Sequence, residues 1–168
     1  EGLMKAMITS EDISDEDCLK MIQEYQEEER PAYLVSCKKI WYSRTANPSH
    51  NVVVIDLGVK TTLVKKLNEY GLNAIVVPYN TTLEQIKRLK PNGIIISNGP
   101  GNPNKLTEVV ALVNELKGKF PLLGLGLGCQ VIALAYNGKV NKMKYGHQGA
   151  NIPVRNVTSE KIEITSQN

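Results

Sequence analysis

The sequence predicts an α/β fold, a mostly parallel sheet flanked by helices on both sides. Three observations predict it. From Asn51 onward, short apolar runs alternate with amphipathic helical stripes, the rhythm of strand–helix–strand units joined by right-handed crossovers. The first run, Val52 to Leu57, is apolar with little alternation, as expected of a strand covered on both faces. Gly71 and Pro78 fall at the ends of these segments, where helices and strands stop.

Before Asn51 the chain reads differently. Ser14, with Asp17 three residues on, resembles an N-cap with an acidic first turn. Leu19, Ile22 and Tyr25 recur at helical spacing, which predicts a helix over 15–26 ended by the Glu27-Glu28-Glu29-Arg30-Pro31 run. Arg44 to Asn51 is polar and carries Pro48, so it reads as a linker, with a domain boundary near Ser49. Residues 1–48 look too few to fold alone and read as the end of a domain. The next helix carries Leu63, Val64, Leu67 and Tyr70 and stops at Gly71. Ala74 to Val77 is the second strand. Thr82-Leu83-Glu84-Gln85 fits a capping box and opens a helix to about Lys90. Gly93 to Ser97 is the third strand, Leu106 to Leu116 a helix, Phe120 to Gly124 the fourth strand, and Leu127 to Tyr136 a helix. Beyond Gly138 the segments are short, and Ile162-Glu163-Ile164-Thr165 fits an antiparallel strand.

Composition bounds the function. The 168 residues suit one domain with an appended piece, and 42% hydrophobic with 22% charged residues is ordinary for a globular chain. The net charge of +3 comes from scattered lysines. Lys38-Lys39 and Lys65-Lys66 read as solvated faces rather than a nucleic-acid footprint. No apolar run approaches the roughly 18 residues of a membrane span. Cys18, Cys37 and Cys129 are odd in number and lack metal-type spacing, which points to reduced thiols in the cytoplasm and to no metal site. No signal peptide is visible, and the chain opens at Glu1 rather than methionine, which leaves room for a missing N-terminal part.

Ligands of such sheets collect at the carboxyl ends of the strands. Two glycine-rich turns are expected there, Ser97-Asn98-Gly99-Pro100-Gly101-Asn102-Pro103 and Gly124-Leu125-Gly126-Leu127-Gly128-Cys129-Gln130. Either one alone is equally a tight turn. The second does not have the G-x-G-x-x-G spacing of a dinucleotide site. A strand turning sharply into a helix is also the setting of a nucleophile elbow, with backbone amides beside it for an oxyanion.

Five stretches then occur in a telling order: Val53 to Lys60, Ser97 to Pro103, Gly124 to Gln130, Tyr145-Gly146-His147-Gln148-Gly149-Ala150-Asn151-Ile152-Pro153-Val154, and Ile164 to Asn168. Together they resemble the small-subunit family of carbamoyl-phosphate synthase, within the flavodoxin-like class I glutamine amidotransferases. Lys5 to Asp17 and Val35-Ser36-Cys37-Lys38 resemble the end of that subunit's N-terminal domain and its linker. The resemblance implies that 1–48 belongs to that end and linker. Residues 49–168 would be the N-terminal part of the amidotransferase domain, truncated at its C-terminus.

What the resemblance implies for chemistry divides. Members hydrolyse L-glutamine, and the ammonia passes to a large subunit that makes carbamoyl phosphate from bicarbonate and ATP for pyrimidine or arginine synthesis. No cofactor is implied in this part. The family's elbow reads Gly, aliphatic, Cys, Leu, Gly, His, Gln, so Gly126 stands at the cysteine and Cys129 at the histidine. Gly99 and Gly101 match the turn that contacts glutamine and helps form the oxyanion hole. Leu127 matches the residue whose amide completes that hole, and Gln130 and Asn168 match glutamine contacts. The catalytic histidine and glutamate of the family lie beyond the point where this chain stops. The expectation is therefore an inactive chain that binds glutamine weakly or not at all. Cys129 lies about one helical turn past the elbow and lacks an assignable base, so it reads as an ordinary thiol. His50 falls in the linker, His147 reads as a loop-fixing residue, and Asp56 as turn-stabilising. The alternative reading is a non-catalytic amidotransferase-like scaffold or regulatory module of a synthase that uses free ammonia.

Overall fold

The computed structural model describes residues 4–26 and 28–167. The chain divides into two compact units, one of Glu27–Val140 and one of Glu1–Gln26 together with Asn141–Asn168.

In the second of these units, α1 (Asp15–Glu24) begins where the sequence puts it. Ser14 is its N-cap and accepts from the Asp17 N–H. No side chain of α1 is buried. The unit's other regular element is a hairpin of β6 (Gly149–Arg155) and β7 (Ile162–Gln167), antiparallel with Ile152 opposite Thr165.

The 27–140 unit holds α2 (Pro31–Val35), β1 (Trp41–Ser43), β2 (His50–Asp56), α3 (Thr61–Glu69), β3 (Leu72–Pro78), α4 (Leu83–Arg88), β4 (Gly93–Ile96), a 3-10 turn at Pro103–Lys105, α5 (Thr107–Leu116), β5 (Leu122–Gly124) and α6 (Leu127–Ala135). Its five strands lie side by side in the order β1-β3-β2-β4-β5, parallel except for β1. The four strands read from the apolar runs are all present in this one sheet.

Alternation along each strand explains why the runs look continuous in sequence. Val53, Ile55, Ile75, Val77, Ile94 and Ile96 face Ile86 of α4, Val109, Leu112, Val113 and Leu116 of α5, and Leu127 and Val131 of α6. Val52, Val54, Ala74, Val76 and Ile95 face the other way, onto Val64 and Leu67 of α3. Successive side chains point to opposite sheet faces, and helices cover both. A fully buried Val or Ile is worth about 1.5–3 kcal/mol, so this double layer is the main store of stability. The α4 capping box is formed, with Thr82 accepting from the Gln85 N–H and the Gln85 side chain accepting from the Thr82 N–H.

Residues 31–43 carry two short elements that pack on the sheet. Among the described residues of 4–48 the buried ones are Ala32, Tyr33 and Ser36. Ala32 and Tyr33 pack into the same cluster as Ile55 and Leu57. Trp41–Ser43 pairs antiparallel with Ala74–Val76. The composition shift near Ser49 is therefore not a break in packing. A five-residue helix and a three-residue strand are too short to show a period.

The connections locate a crevice. The helix after β2 covers one sheet face, and those after β4 and β5 cover the other. The chain thus reverses direction across the sheet between β2 and β4, and ligands of open α/β sheets bind outside the carboxyl ends of strands at such a point.

Candidate active site

Parallel register brings three carboxyl ends level: Ile55 pairs with Ile96, and Ile96 with Gly124. The loops that leave them are Leu57 to Lys60, Ser97 to Asn102 and Leu125 to Gly126.

The third loop is a nucleophile elbow in backbone terms. Gly126 has φ 53° and ψ −113° and forms the N-cap of α6. That conformation is one an L-residue rarely adopts. The glycines two residues to either side are required by packing. A Cβ on Gly124 would lie 2.6 Å from the Cys129 backbone, and one on Gly128 would run into the Ile96 carbonyl. At Gly126 itself there is room, since the nearest atom to a Cβ there would be Asn98 Cβ at 3.5 Å. The turn therefore has space for a side chain at a conformation that favours glycine, and glycine occupies the position.

The second loop lies beside it. Gly99 must be glycine because a Cβ would collide with the Leu57 carbonyl. Gly101 has φ +100°, and a Cβ on it would meet the Pro31 ring. Buried Ser97 accepts from the Leu57 N–H (2.9 Å) and donates to the Asn98 carbonyl (2.8 Å). Asn98 Nδ2 donates to the Gly58 carbonyl at 3.2 Å.

The residues expected from the sequence divide accordingly. Gly99, Gly101 and Gly126 stand on the two adjoining loops, and Leu127 is the first residue of α6. Leu127 buries its side chain, while its N–H, the first of α6, has no acceptor within the helix. Gln130 is exposed in the first turn of α6. Asn168 lies outside the described residues. Cys129 is exposed in that same helical turn, not at the elbow position. His50 opens β2 at the opposite end, five residues before Ile55, about 17 Å away at strand rise. It is the one histidine of the 27–140 unit, and it is not a base for the elbow. His147 is exposed in the other unit.

Asp56 holds the first loop. It is buried and accepts from Cys37 N (2.9 Å), Gly58 N (2.9 Å) and Val59 N (2.8 Å), so its oxygens are spent on the turn rather than on a ligand. Burial first, and then the Asp56 carboxylate beside it, push the Cys37 thiol up to about 11. Sequence reasoning does not single out Pro31, Val35, Ser36 or Cys37 as neighbours of this site. The Val35-Ser36-Cys37-Lys38 stretch carries only its family resemblance, and no periodicity marks it.

A sheet of this order, with a glycine-flanked turn leaving β5 beside the loop that follows β4, sets the class. Residues 53–168 match the family model for class I glutamine amidotransferases, and the chain belongs to that family. Within it, the chain is similar to carbamoyl phosphate synthase small chains. It is 47% identical to that of Bacillus cereus over 119 residues, 71% of this chain and 33% of the other. It is 38% identical to that of Methanocaldococcus jannaschii over 174 residues, 100% and 49%. It is 39% identical to the pyrimidine-specific small chain of Bacillus subtilis over 171 residues, 99% and 45%. The chain thus spans from a third to about half the length of these relatives. A solved GMP synthase subunit structure, from Thermoplasma acidophilum, has the same fold with a TM-score of 0.51 and 25% identity, over 60% of this chain and 51% of the other.

Proposed function

We propose that the chain is the glutamine-site part of a carbamoyl-phosphate synthase small chain whose elbow has lost its nucleophile. Residues 1–48 would close the preceding domain and its linker, and 49–168 would begin the amidotransferase domain. The ligand would be L-glutamine, the partner the synthase large subunit, and the compartment the cytoplasm. Gly99 and Gly101 would contact glutamine and frame its oxyanion from one side. The Leu127 N–H would do so from the other, and Gln130 would contact the substrate.

The observation that carries this reading is Gly126 at φ 53° between two sterically required glycines. Amide hydrolysis through a thioester needs a thiolate at the elbow and a base to activate it. Gly126 supplies no side chain, and the histidine of its own unit, His50, sits at the far end of β2. The proposed chain therefore binds glutamine weakly and does not turn it over. The same observation favours one further reading, a non-catalytic scaffold or regulatory module. Glycine removes the strain that a side chain at this conformation carries, about 1–3 kcal/mol, which serves stability rather than chemistry.

Ammonia release from glutamine tests it. The unmodified chain is expected to release none above background. Gly126→Cys is expected to restore little by itself, because catalytic residues that act as a unit fail together. Turnover by the unmodified chain that Cys129→Ser abolishes would overturn the proposal and make Cys129 the nucleophile. Micromolar binding of glutamine by calorimetry would contradict the weak pocket.

A further inference from the structure

We propose that Asp56 is a positioning residue, tying the short helix α2 to the Gly99–Gly101 turn and thereby holding that turn against the elbow. The inference rests on the reading of that turn as the glutamine-contacting side of the site. The residues that do the holding, 31–37, lie outside the stretch matched by the family model, which begins at residue 53.

The contacts form a continuous chain. Asp56 Oδ1 accepts from Gly58 and Val59, while Oδ2 accepts from Cys37, just past the end of α2. One oxygen therefore shapes the turn after β2 and the other anchors α2 to it. Gly58 is the junction. A Cβ on it would lie 3.2 Å from each of Gly99 Cα, Pro100 Cδ and Val35 Cγ2. It is thus flanked by the glutamine turn on one side and by α2 on the other. Its carbonyl accepts from Asn98 Nδ2, and Asn98 is the residue nearest the empty side-chain position of Gly126. The Pro31 ring reaches Gly101 directly, with Cγ only 2.9 Å from where a Cβ would be. The far side of α2 is itself fixed. Ser36 Oγ accepts from the Tyr79 N–H at 3.1 Å, and Tyr33 stacks on Tyr79 with ring centroids 3.9 Å apart. The turn has no regular backbone pairing of its own from Asn98 to Gly101, so these contacts are what define its shape.

Asp56→Asn cuts one link selectively. Asparagine keeps an acceptor oxygen for Gly58 and Val59 and replaces the oxygen that Cys37 uses with a donor, which faces the Cys37 N–H. In an isotope-labelled chain, amide exchange of Cys37, whose N–H donates to Asp56 Oδ2, is expected to accelerate about tenfold or more, the loss of one hydrogen bond to a charged acceptor. The strand amides of Val53, Ile55, Ile95 and Ile96 are expected to stay within about twofold, and the Gly99 and Gly101 resonances to shift. Pro31→Ala, a milder change, is expected to shift the Gly101 resonance, whose turn the Pro31 ring touches, with the strands unaffected. Unshifted Gly99 and Gly101 resonances in Asp56→Asn, or equal acceleration across the whole sheet in both variants, overturns the proposal. Neither measurement needs glutamine. Failure of the glutamine reading would appear as turnover or micromolar binding by the unmodified chain, and failure of this inference as unshifted turn resonances, so the two failures are distinguishable.

Discussion

Gly126 combines room for a side chain with a backbone conformation that favours glycine. A cysteine there fits sterically, with Asn98 Cβ at 3.5 Å from its Cβ, but it must hold φ near 53°. Gly126→Cys is therefore expected to destabilise the chain by about 1–3 kcal/mol, read as a lower urea midpoint with unchanged slope. An unchanged or higher midpoint would mean that the elbow is not strained. Gly128 presents the opposite case. A Cβ there meets the Ile96 carbonyl, which is locked in the sheet, so Gly128→Ala should cost more than Gly126→Cys in the same titration. At Cys37, partial burial and then the Asp56 carboxylate push the half-buried thiol up to about 11 from 9.0. The folded state thus keeps a proton that the unfolded chain sheds, and this part of the stability is present below pH 9 and falls as pH rises toward 11. Iodoacetamide at pH 8 should accordingly label exposed Cys129 first and Cys37 last. Faster labelling at Cys37 than at Cys129 would refute the half-buried thiol. The family resemblance is enough to pair the elbow glycines with a motif. Their individual steric reasons, and the engagement of Asp56, need three loops to be seen together.

At the scale of elements, legibility follows length and local chemistry. The α4 helix is readable because Thr82 and Gln85 announce its cap within four residues, and both halves of the box are formed. Thr82→Ala should remove the cap and lower stability by about 1 kcal/mol, measured by thermal or urea unfolding. No loss would mean that tertiary packing of Ile86 alone sets the helix start. Strands β2, β3 and β4 are readable because helices cover both sheet faces, so their central side chains are apolar for one face or the other. The pieces that escape are α2 and β1. Their formation depends on partners far along the chain: Pro31 on Gly101, Tyr33 on Tyr79, and Trp41–Ser43 on β3. The stretch read as a linker, Arg44 to Asn51, follows them; Pro48 does lie outside any regular element, while His50 already opens β2.

Across the whole molecule, burial is uneven. The 27–140 unit carries the double-sided core. In the other unit α1 buries no side chain, and the hairpin exposes Ile162 and Ile164 by 69% and 66%. A two-stranded hairpin by itself is marginal in water, and a ten-residue helix without a buried face has little besides its cap to hold it. The chain from Asn137 to Gln148 is exposed almost throughout and carries Lys139, Lys142 and Lys144, the kind of segment where proteases cut first. Brief trypsin treatment should therefore cleave there and spare the lysines inside the sheet unit for much longer. The expected product is a resistant fragment that begins at Met21, after Lys20, ends between Lys139 and Lys144 and keeps its far-ultraviolet helix and strand signal. That outcome would also put the glutamine turn, the elbow and the α2 contacts in one self-sufficient piece, so the Gly99 and Gly101 resonances should survive the cut unshifted. Degradation at equal rates along the whole chain, or loss of those two resonances on cleavage near Lys142, would mean that the hairpin unit contributes to the stability of the sheet and its site.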